Sequence, residues 1–357
     1  MKIPENPEVV GGGGTFDLAW IRAAALNNPE KLFHCLLRRP EYVEAARSQN
    51  FDHFFPRDLR TQIWNSTGLG KTKMPKNVSF STNEKFSEIN PETLKIFFSA
   101  YPAQNTREIL LFLKKINREA IENAILISGS KGIEIATENL MNEVLSAIND
   151  NRQKIAIAVG PNKAKDIWES HPATITFAGN SEATSPVAEL FRGSSILHPN
   201  ESTEMYGLDL AGVAKNVHSL TAGLAIGLNL SPSTISSLMQ HALKELRDLL
   251  RACNCEKISD VLLGISGDYD LAFRGATRNA KAGIEFAKKG ELPESQLTEG
   301  VKSLPILLEF AQKRSVKMPI AELTQAVFEG KIKPKQATKK LTELGSGISE
   351  YLNENFR

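Results

Sequence analysis

Residues 207–230 read GLDLAGVAKNVHSLTAGLAIGLNL. Leu208, Ala211, Ala214, Val217, Leu220 and Leu224 recur at spacings of three and four, the period of a helix. With His counted as neutral, Lys215 is the one charged side chain between Leu210 and Leu243. A lysine normally sits where its ammonium reaches water. Alone in an apolar helix, it either snorkels out along its stem or stays desolvated with a lowered pKa. The second state makes a proton donor and acceptor that works near neutral pH. The segment alone admits both.

The totals set the frame. A chain of 357 residues has length for two domains, each with its own core. With 41% hydrophobic and 24% charged residues, the composition is that of an ordinary soluble globular protein. A net charge of +2 is too near balance to imply a nucleic-acid surface. Cys35, Cys253 and Cys255 give neither a disulfide framework nor a four-ligand metal set, so a reducing cytoplasm and no metal are expected. The opening MKIPENPEVV lacks the apolar core of a signal peptide, and no apolar run is long enough to span a bilayer.

The first half alternates strands and helices. Val9 and Val10 run into Gly11–Gly14, and Thr15–Leu26 reads as a helix. Strand, glycine loop and helix let backbone N–H groups and a helix N-terminus meet a phosphate. Gly11 and Gly13 supply two glycines of G-x-G-x-x-G, but position 16 is Phe, so a flexible glycine-rich turn also fits. Lys31–Leu37 is a second strand candidate, followed by Arg38 and Arg39. Two arginines there suit a ribose 2′-phosphate, which tilts a dinucleotide reading toward NADP; a solvated basic pair is the alternative. Residues 51–76 read as a loop. Further strands are expected at Val78–Ser81, Leu94–Ala100, Ala124–Ser128 and Lys154–Val159, with helices at Thr106–Asn117 and Glu138–Ala147. This order predicts a mostly parallel sheet with helices on both faces. Ligands of such sheets sit at the carboxyl ends of strands, where Gly11–Gly14, Pro102–Gln104, Lys131 and Gly160–Asn162 fall.

From Gly207 onward the chain reads as nearly all helical, so residues 1–205 and 206–357 are expected to form an α/β domain and an all-α domain. Ser231–Arg251 begins with Ser-Pro, which suits a helix start. Val261–Asn279 carries Asp268, Asp270, Arg274, Arg278 and Asn279 among glycines. An aspartate there could set the charge of a nearby lysine, and Thr277, Arg278 and Asn279 could hold a phosphate. A glycine-rich surface loop with ordinary ion pairs is the alternative.

Four segments together resemble the NAD(P)-dependent glycerol-3-phosphate dehydrogenase family. SGSKGIEIATENLMNEVL (residues 128–145) resembles the family's S-x-x-K-G-(I/V)-E segment. Residues 206–230 resemble its G-x-E-x-x-G-x-x-K-N-x-x-A-x-x-x-G helix, with Asp209 for the Glu. GDYDLAFRGATRNAKAG resembles its D-L…(S/T)-R-N loop, and LTEGVKSLPILLEFAQKRSVKMPI its V-x-E-G stretch. The match keeps its order from about residue 9 to about 345.

The resemblance implies an N-terminal Rossmann-like domain, a helical C-terminal substrate domain, and often a homodimer. It implies an oxidoreductase that reversibly transfers hydride between NAD(P)H and dihydroxyacetone phosphate, giving sn-glycerol 3-phosphate for phospholipid synthesis. Lys215 matches the general acid/base, Lys131 the second substrate lysine and Asp270 the aspartate beside the catalytic lysine. Thr277, Arg278 and Asn279 match the substrate-phosphate group, with Arg278 also facing the cofactor. Gly160 and Asn162 match substrate-loop positions. Gly11, Gly13, Gly14, Thr15, Arg38, Lys131, Ala164, Leu297 and Glu299 match cofactor contacts.

Departures lie at the cofactor end. Against the family's G-x-G-x-W-G-T-x-L-A, GGGGTFDLA reads as two residues short and lacks the tryptophan, and Asp17 stands where a small apolar residue is usual. Lys163 replaces the Phe of G-P-S-F-A. A non-catalytic paralogue with an altered glycine loop, or a dehydrogenase of a related phosphorylated substrate, are the alternatives.

Overall fold

The computed structural model describes residues 6–49, 73–292 and 298–346. The loop expected over residues 51–76 lies mostly outside them. The chain forms two compact units, Met1–Ser130 with Met141–Met205, and Lys131–Leu140 with Tyr206–Arg357. Lys131–Leu140, assigned by sequence to the first domain, therefore clusters with the second.

The first unit is built on eight strands: β1 (Val9–Gly11), β2 (Phe33–Leu37), β3 (Val78–Thr82), β4 (Ile96–Ser99), β5 (Ile125–Ser128), β6 (Ile155–Val159), β7 (Ala173–Gly179) and β8 (Leu197–Ser202). Their order is β3-β2-β1-β4-β5-β6-β7-β8, parallel throughout except between β6 and β7. β1, β2, β4, β5 and β6 are buried at every residue, which is why their sequences are apolar runs rather than alternations. Phe97 and Phe98, adjacent on β4, enter opposite cores because strand side chains alternate. One core gathers Trp20, Trp168, Phe177 and Phe191; the other gathers Phe86, Leu110, Leu113 and Leu145. The expected two-faced sheet is thus present.

β1 lies between β2 and β4. The strand order reverses there, and in open α/β sheets that switch point opens a crevice at the carboxyl ends. The glycine loop after β1 stands at that point. Its helix, Thr15–Asn27, buries Ala19 and Ala23–Ala25, small residues that let it lie close on the sheet.

The second unit holds helices Met205–Gly227, Pro232–Ala252, Ile258–Phe273, Arg278–Lys289, Glu299–Gln312, Pro319–Phe328 and Pro334–Ser346. Met205–Gly227 is buried from Gly207 to Ala225, so its apolar character is that of a helix enclosed on all sides. It crosses Arg278–Lys289 at two glycines: a Cβ on Gly223 would stand 2.0 Å from the Ala280 carbonyl oxygen, and one on Gly283 2.3 Å from that of Leu220. Backbones that close leave room for no side chain, and the crossing sets where Arg278 and Asn279 begin their helix.

Three elements differ from the sequence reading. Ile258–Phe273 is a helix despite Gly264 and Gly267. Val261, Ile265, Asp268, Tyr269 and Ala272 form its buried stripe, and their packing outweighs the roughly 1 kcal/mol that each glycine costs in a helix. β7 and β8 were not foreseen. β8, LHPNES, is a mostly exposed edge strand with polar residues, which carries little apolar signal. Among the described residues, no helix is long and apolar enough to cross a membrane.

Candidate active site

The buried stripe of Ile258–Phe273 carries Asp268 to two lysines. Lys131 Nζ donates to Asp268 Oδ2 at 2.6 Å, and Lys215 Nζ lies 3.7 Å from Asp268 Oδ1. Lys215 is 5% exposed and Asp268 5%. Desolvation lowers the Lys215 pKa to about 8, held up in part by Asp268 and pressed down by the charges of Lys131 and Arg278. The lysine does not snorkel; it is the desolvated kind.

Lys131 reaches this place because its stem crosses Gly212, where a Cβ would meet Lys131 Cγ at 3.4 Å. Asn216, next to Lys215, donates from Nδ2 to the Lys131 carbonyl at 2.6 Å. Asn279 Oδ1 accepts the Gly300 N–H at 3.0 Å, and a Cβ on Gly300 would stand 2.4 Å from the Asn216 carbonyl oxygen. Asn216, Asn279 and Gly300 thus bind three helices around the lysine. Arg278 opens the Arg278–Lys289 helix behind Thr277, whose hydroxyl caps it by accepting the Ala280 N–H at 3.2 Å. A guanidinium beside a capped helix N-terminus is suited to a phosphate.

Asp270 is a correction. It lies off the buried stripe, 47% exposed at its side chain, and pairs with Arg274 one turn on at 2.8 Å. Asp268, two residues earlier, is the carboxylate beside Lys215. The signal was available: a spacing of three and four from Val261 puts Asp268 on the apolar face and Asp270 off it.

The cofactor-loop residues belong to the α/β unit. Gly11 ends β1, Gly12 lies in the loop, and the helix opens at Thr15 behind Gly14. Gly11 and Gly13 take the first two glycine positions of G-x-G-x-x-G, and Phe16, at the third, already lies in the helix. Gly13 has φ +74°, and a Cβ there would stand 1.9 Å from the Leu36 carbonyl oxygen; only glycine fits. Asp17 is fully buried. Its Oδ2 accepts the Gly14 N–H at 3.1 Å and its Oδ1 the Ala100 N–H at 2.9 Å, so it ties the loops after β1 and β4 together. Burial pushes its pKa up to about 8 against the pull of those two N–H groups, so it is mostly neutral at pH 7. Gly11 and Gly12 are buried, with a Cβ on Gly12 2.5 Å from the Tyr101 hydroxyl, while Gly13 and Gly14 are half-buried; these two glycines, a helix start and a carboxyl turned inward fit a dinucleotide pyrophosphate.

Arg38 is exposed just after β2, while Arg39 lies 3.8 Å from Glu41 and stacks on Tyr42. Gly160 has φ +131°, and Asn162 Nδ2 donates to the carbonyls of Gly160 and Thr174, both at 3.2 Å, so this loop is braced within the α/β unit. Ala164 opens the Ala164–Trp168 helix and is buried. Glu299 opens the Glu299–Gln312 helix of the other unit, at the turn that Asn279 holds. Leu297 lies outside the described residues.

A parallel sheet with a glycine loop at its switch point, and a helical unit around a lysine–carboxylate–lysine cluster, define a dinucleotide-dependent oxidoreductase architecture. Comparison with known proteins gives the family. The family described as NAD-dependent glycerol-3-phosphate dehydrogenase matches with its N-terminal part over residues 47–185 and with its C-terminal part over residues 204–339. A glycerol-3-phosphate dehydrogenase (NAD(P)+) of Bradyrhizobium sp. (strain ORS 278) is 33% identical over 234 residues, 65% of this chain and 70% of the relative. A chloroplastic glycerol-3-phosphate dehydrogenase (NAD(+)) of Oryza sativa subsp. japonica is 26% identical over 345 residues, 94% of this chain and 74% of the relative. In fold, the crystal structure of glycerol-3-phosphate dehydrogenase from Coxiella burnetii superposes with a TM-score of 0.75 at 18% identity, covering 95% of this chain and 99% of that one. The chain belongs to the NAD-dependent glycerol-3-phosphate dehydrogenase family.

Proposed function

We propose that this protein reversibly reduces dihydroxyacetone phosphate to sn-glycerol 3-phosphate with NADH or NADPH, in a reducing cytoplasm and as a homodimer. The observation that carries the reading is Lys215, desolvated beside Asp268 and Lys131, with a pKa of about 8. A group titrating near the working pH suits transfer of a proton in either direction. When bound, the nicotinamide dinucleotide supplies or takes up the hydride. Lys215, protonated below pH 8, donates its proton to the carbonyl oxygen as the alcohol forms, and takes it back in the reverse direction. Lys131 stabilises negative charge developing on that oxygen. Asp268 keeps the two ammonium groups together against their repulsion. Arg278, with Thr277 and Asn279, holds the substrate phosphate, and Gly11–Thr15 receive the cofactor pyrophosphate. Product glycerol 3-phosphate would feed phospholipid synthesis.

The test is the loss of nicotinamide absorbance with purified protein and dihydroxyacetone phosphate, for NADH and NADPH separately. Decay with either supports the reading. Lys215→Ala is expected to lower kcat by about 10³-fold while cofactor affinity stays within twofold. Wild-type turnover in Lys215→Ala sinks the assignment of the acid. No decay from folded wild-type protein overturns the activity itself.

A further inference from the structure

We propose that His218 and Tyr269 are positioning residues that hold Asp268 in register between Lys131 and Lys215. His218 and Tyr269 are fully buried and Glu245 is 3% exposed. His218 Nδ1 lies 2.8 Å from the Tyr269 hydroxyl, and Nε2 lies 2.9 Å from Glu245 Oε2. Glu245 Oε1 accepts the Ile320 N–H at 2.5 Å. One imidazole therefore ties Met205–Gly227 to Ile258–Phe273 and to Pro232–Ala252, and Glu245 ties Pro232–Ala252 to the start of Pro319–Phe328. With the proton on Nε2, the ring donates to Glu245 Oε2 and Nδ1 accepts from the Tyr269 hydroxyl; with it on Nδ1, that nitrogen donates to the hydroxyl oxygen.

The placement relative to the site makes this more than core packing. Lys215 and His218 are three residues apart, on one face of their helix. Asp268 and Tyr269 adjoin on the buried stripe of theirs. The same two helices are thus bridged twice, by Lys215–Asp268 at 3.7 Å and His218–Tyr269 at 2.8 Å. The first bridge is a long contact at the end of a flexible lysine stem and cannot set register. The second joins two rings with few torsions, and a slip of one residue, about 1.5 Å along a helix, breaks it. Three buried polar groups are costly unless each is hydrogen-bonded, so only one arrangement of these helices satisfies them all. Asp268 makes unequal bonds to its two lysines, and the groups acting on Lys215 are Asp268, Lys131 and Arg278. If Asp268 drifts, the two cations remain and Lys215 loses its proton at lower pH.

The kinetic arm of the test rests on the dehydrogenase reading; the spectroscopic arm does not. Tyr269→Phe keeps the ring and removes the hydroxyl. Lysine ε-carbons are labelled with carbon-13, and Lys215 is assigned by its loss in Lys215→Arg. In Tyr269→Phe, Lys215 is expected to titrate about one pH unit lower than in wild type. The kcat for dihydroxyacetone phosphate reduction is expected to fall about tenfold with KM within twofold. In the otherwise wild-type chain, His218→Gln, whose amide can bond both partners, should retain most of both readouts, whereas His218→Phe should not. An unchanged Lys215 titration in folded Tyr269→Phe overturns the proposal. If Tyr269→Phe does not fold, an unchanged titration in His218→Phe or Glu245→Gln overturns it instead. A shifted titration in a protein whose wild type shows no turnover upholds the positioning role and removes the dehydrogenase reading.

Discussion

Two aspartates two residues apart have opposite fates. Asp268 is buried between Lys131 and Lys215; Asp270 reaches solvent and pairs with Arg274 on its own helix. Removing one partner of a buried pair leaves an uncompensated charge, whereas an exposed i,i+4 pair contributes about 0.3–0.5 kcal/mol. Asp268→Asn is therefore expected to lower kcat at least 10²-fold and Asp270→Asn less than twofold, measured in the absorbance assay. The reverse ranking would restore Asp270 as the partner of Lys215. Asp17 governs a different observable. Its pKa is about 8 in the folded chain against 3.8 when unperturbed. A carboxyl raised in the fold stabilises fully below about pH 4, and that contribution is lost as pH rises through 8. Asp17→Asn should flatten the decline of urea-unfolding stability between pH 4 and 8. A decline identical to wild type would show that Asp17 titrates normally.

Among the elements, the Met205–Gly227 helix and its partners place the chemistry. Its glycines divide the work: Gly212 lets Lys131 cross, and Gly223 admits the backbone of Arg278–Lys289. Gly223→Ala puts a methyl 2.0 Å from a carbonyl oxygen. The helices must separate, at a cost of about 1–3 kcal/mol in overpacking. The expected result is a lowered denaturation midpoint and a raised KM for dihydroxyacetone phosphate, because Arg278 and Asn279 move with their helix. A midpoint equal to wild type would mean the crossing tolerates the methyl. The helix itself was legible from its period and its lone lysine. Ile258–Phe273 was harder to read, because its glycines and acids mimic a loop when the buried stripe is not traced.

At the scale of the molecule, the chain reads as a parallel sheet that ends and a helical array that begins near residue 205, with Lys131–Leu140 returning to the helical unit. The strand order puts Gly11–Gly14 at the switch point, and β2 ends with Arg38 exposed. An exposed arginine there can pair with a ribose 2′-phosphate. Arg38→Ala is expected to raise KM for NADPH about tenfold and leave that for NADH within twofold. An equal change for both cofactors would remove Arg38 from 2′-phosphate recognition.

Sequence alone determined what depends on neighbours along the chain. Apolar runs marked β1, β2, β4, β5 and β6, the 3.6-residue period marked the lysine helix, and Ser231-Pro232 marked a helix start that Ser231 indeed caps. Ordered motifs pointed to the family and to Lys131 and Lys215. The helical spacing from Val261 puts Asp268 rather than Asp270 on the apolar face, but tertiary structure alone decided that this face meets those lysines, since Lys131 and Asp268 lie 137 residues apart. It also decided that Lys215 is desolvated, that Asp17 turns inward, and that His218 faces Tyr269 and Glu245. Period and propensity are local properties of a chain. The pairing of buried charges depends on which helix faces close on each other, and no local pattern carries that information.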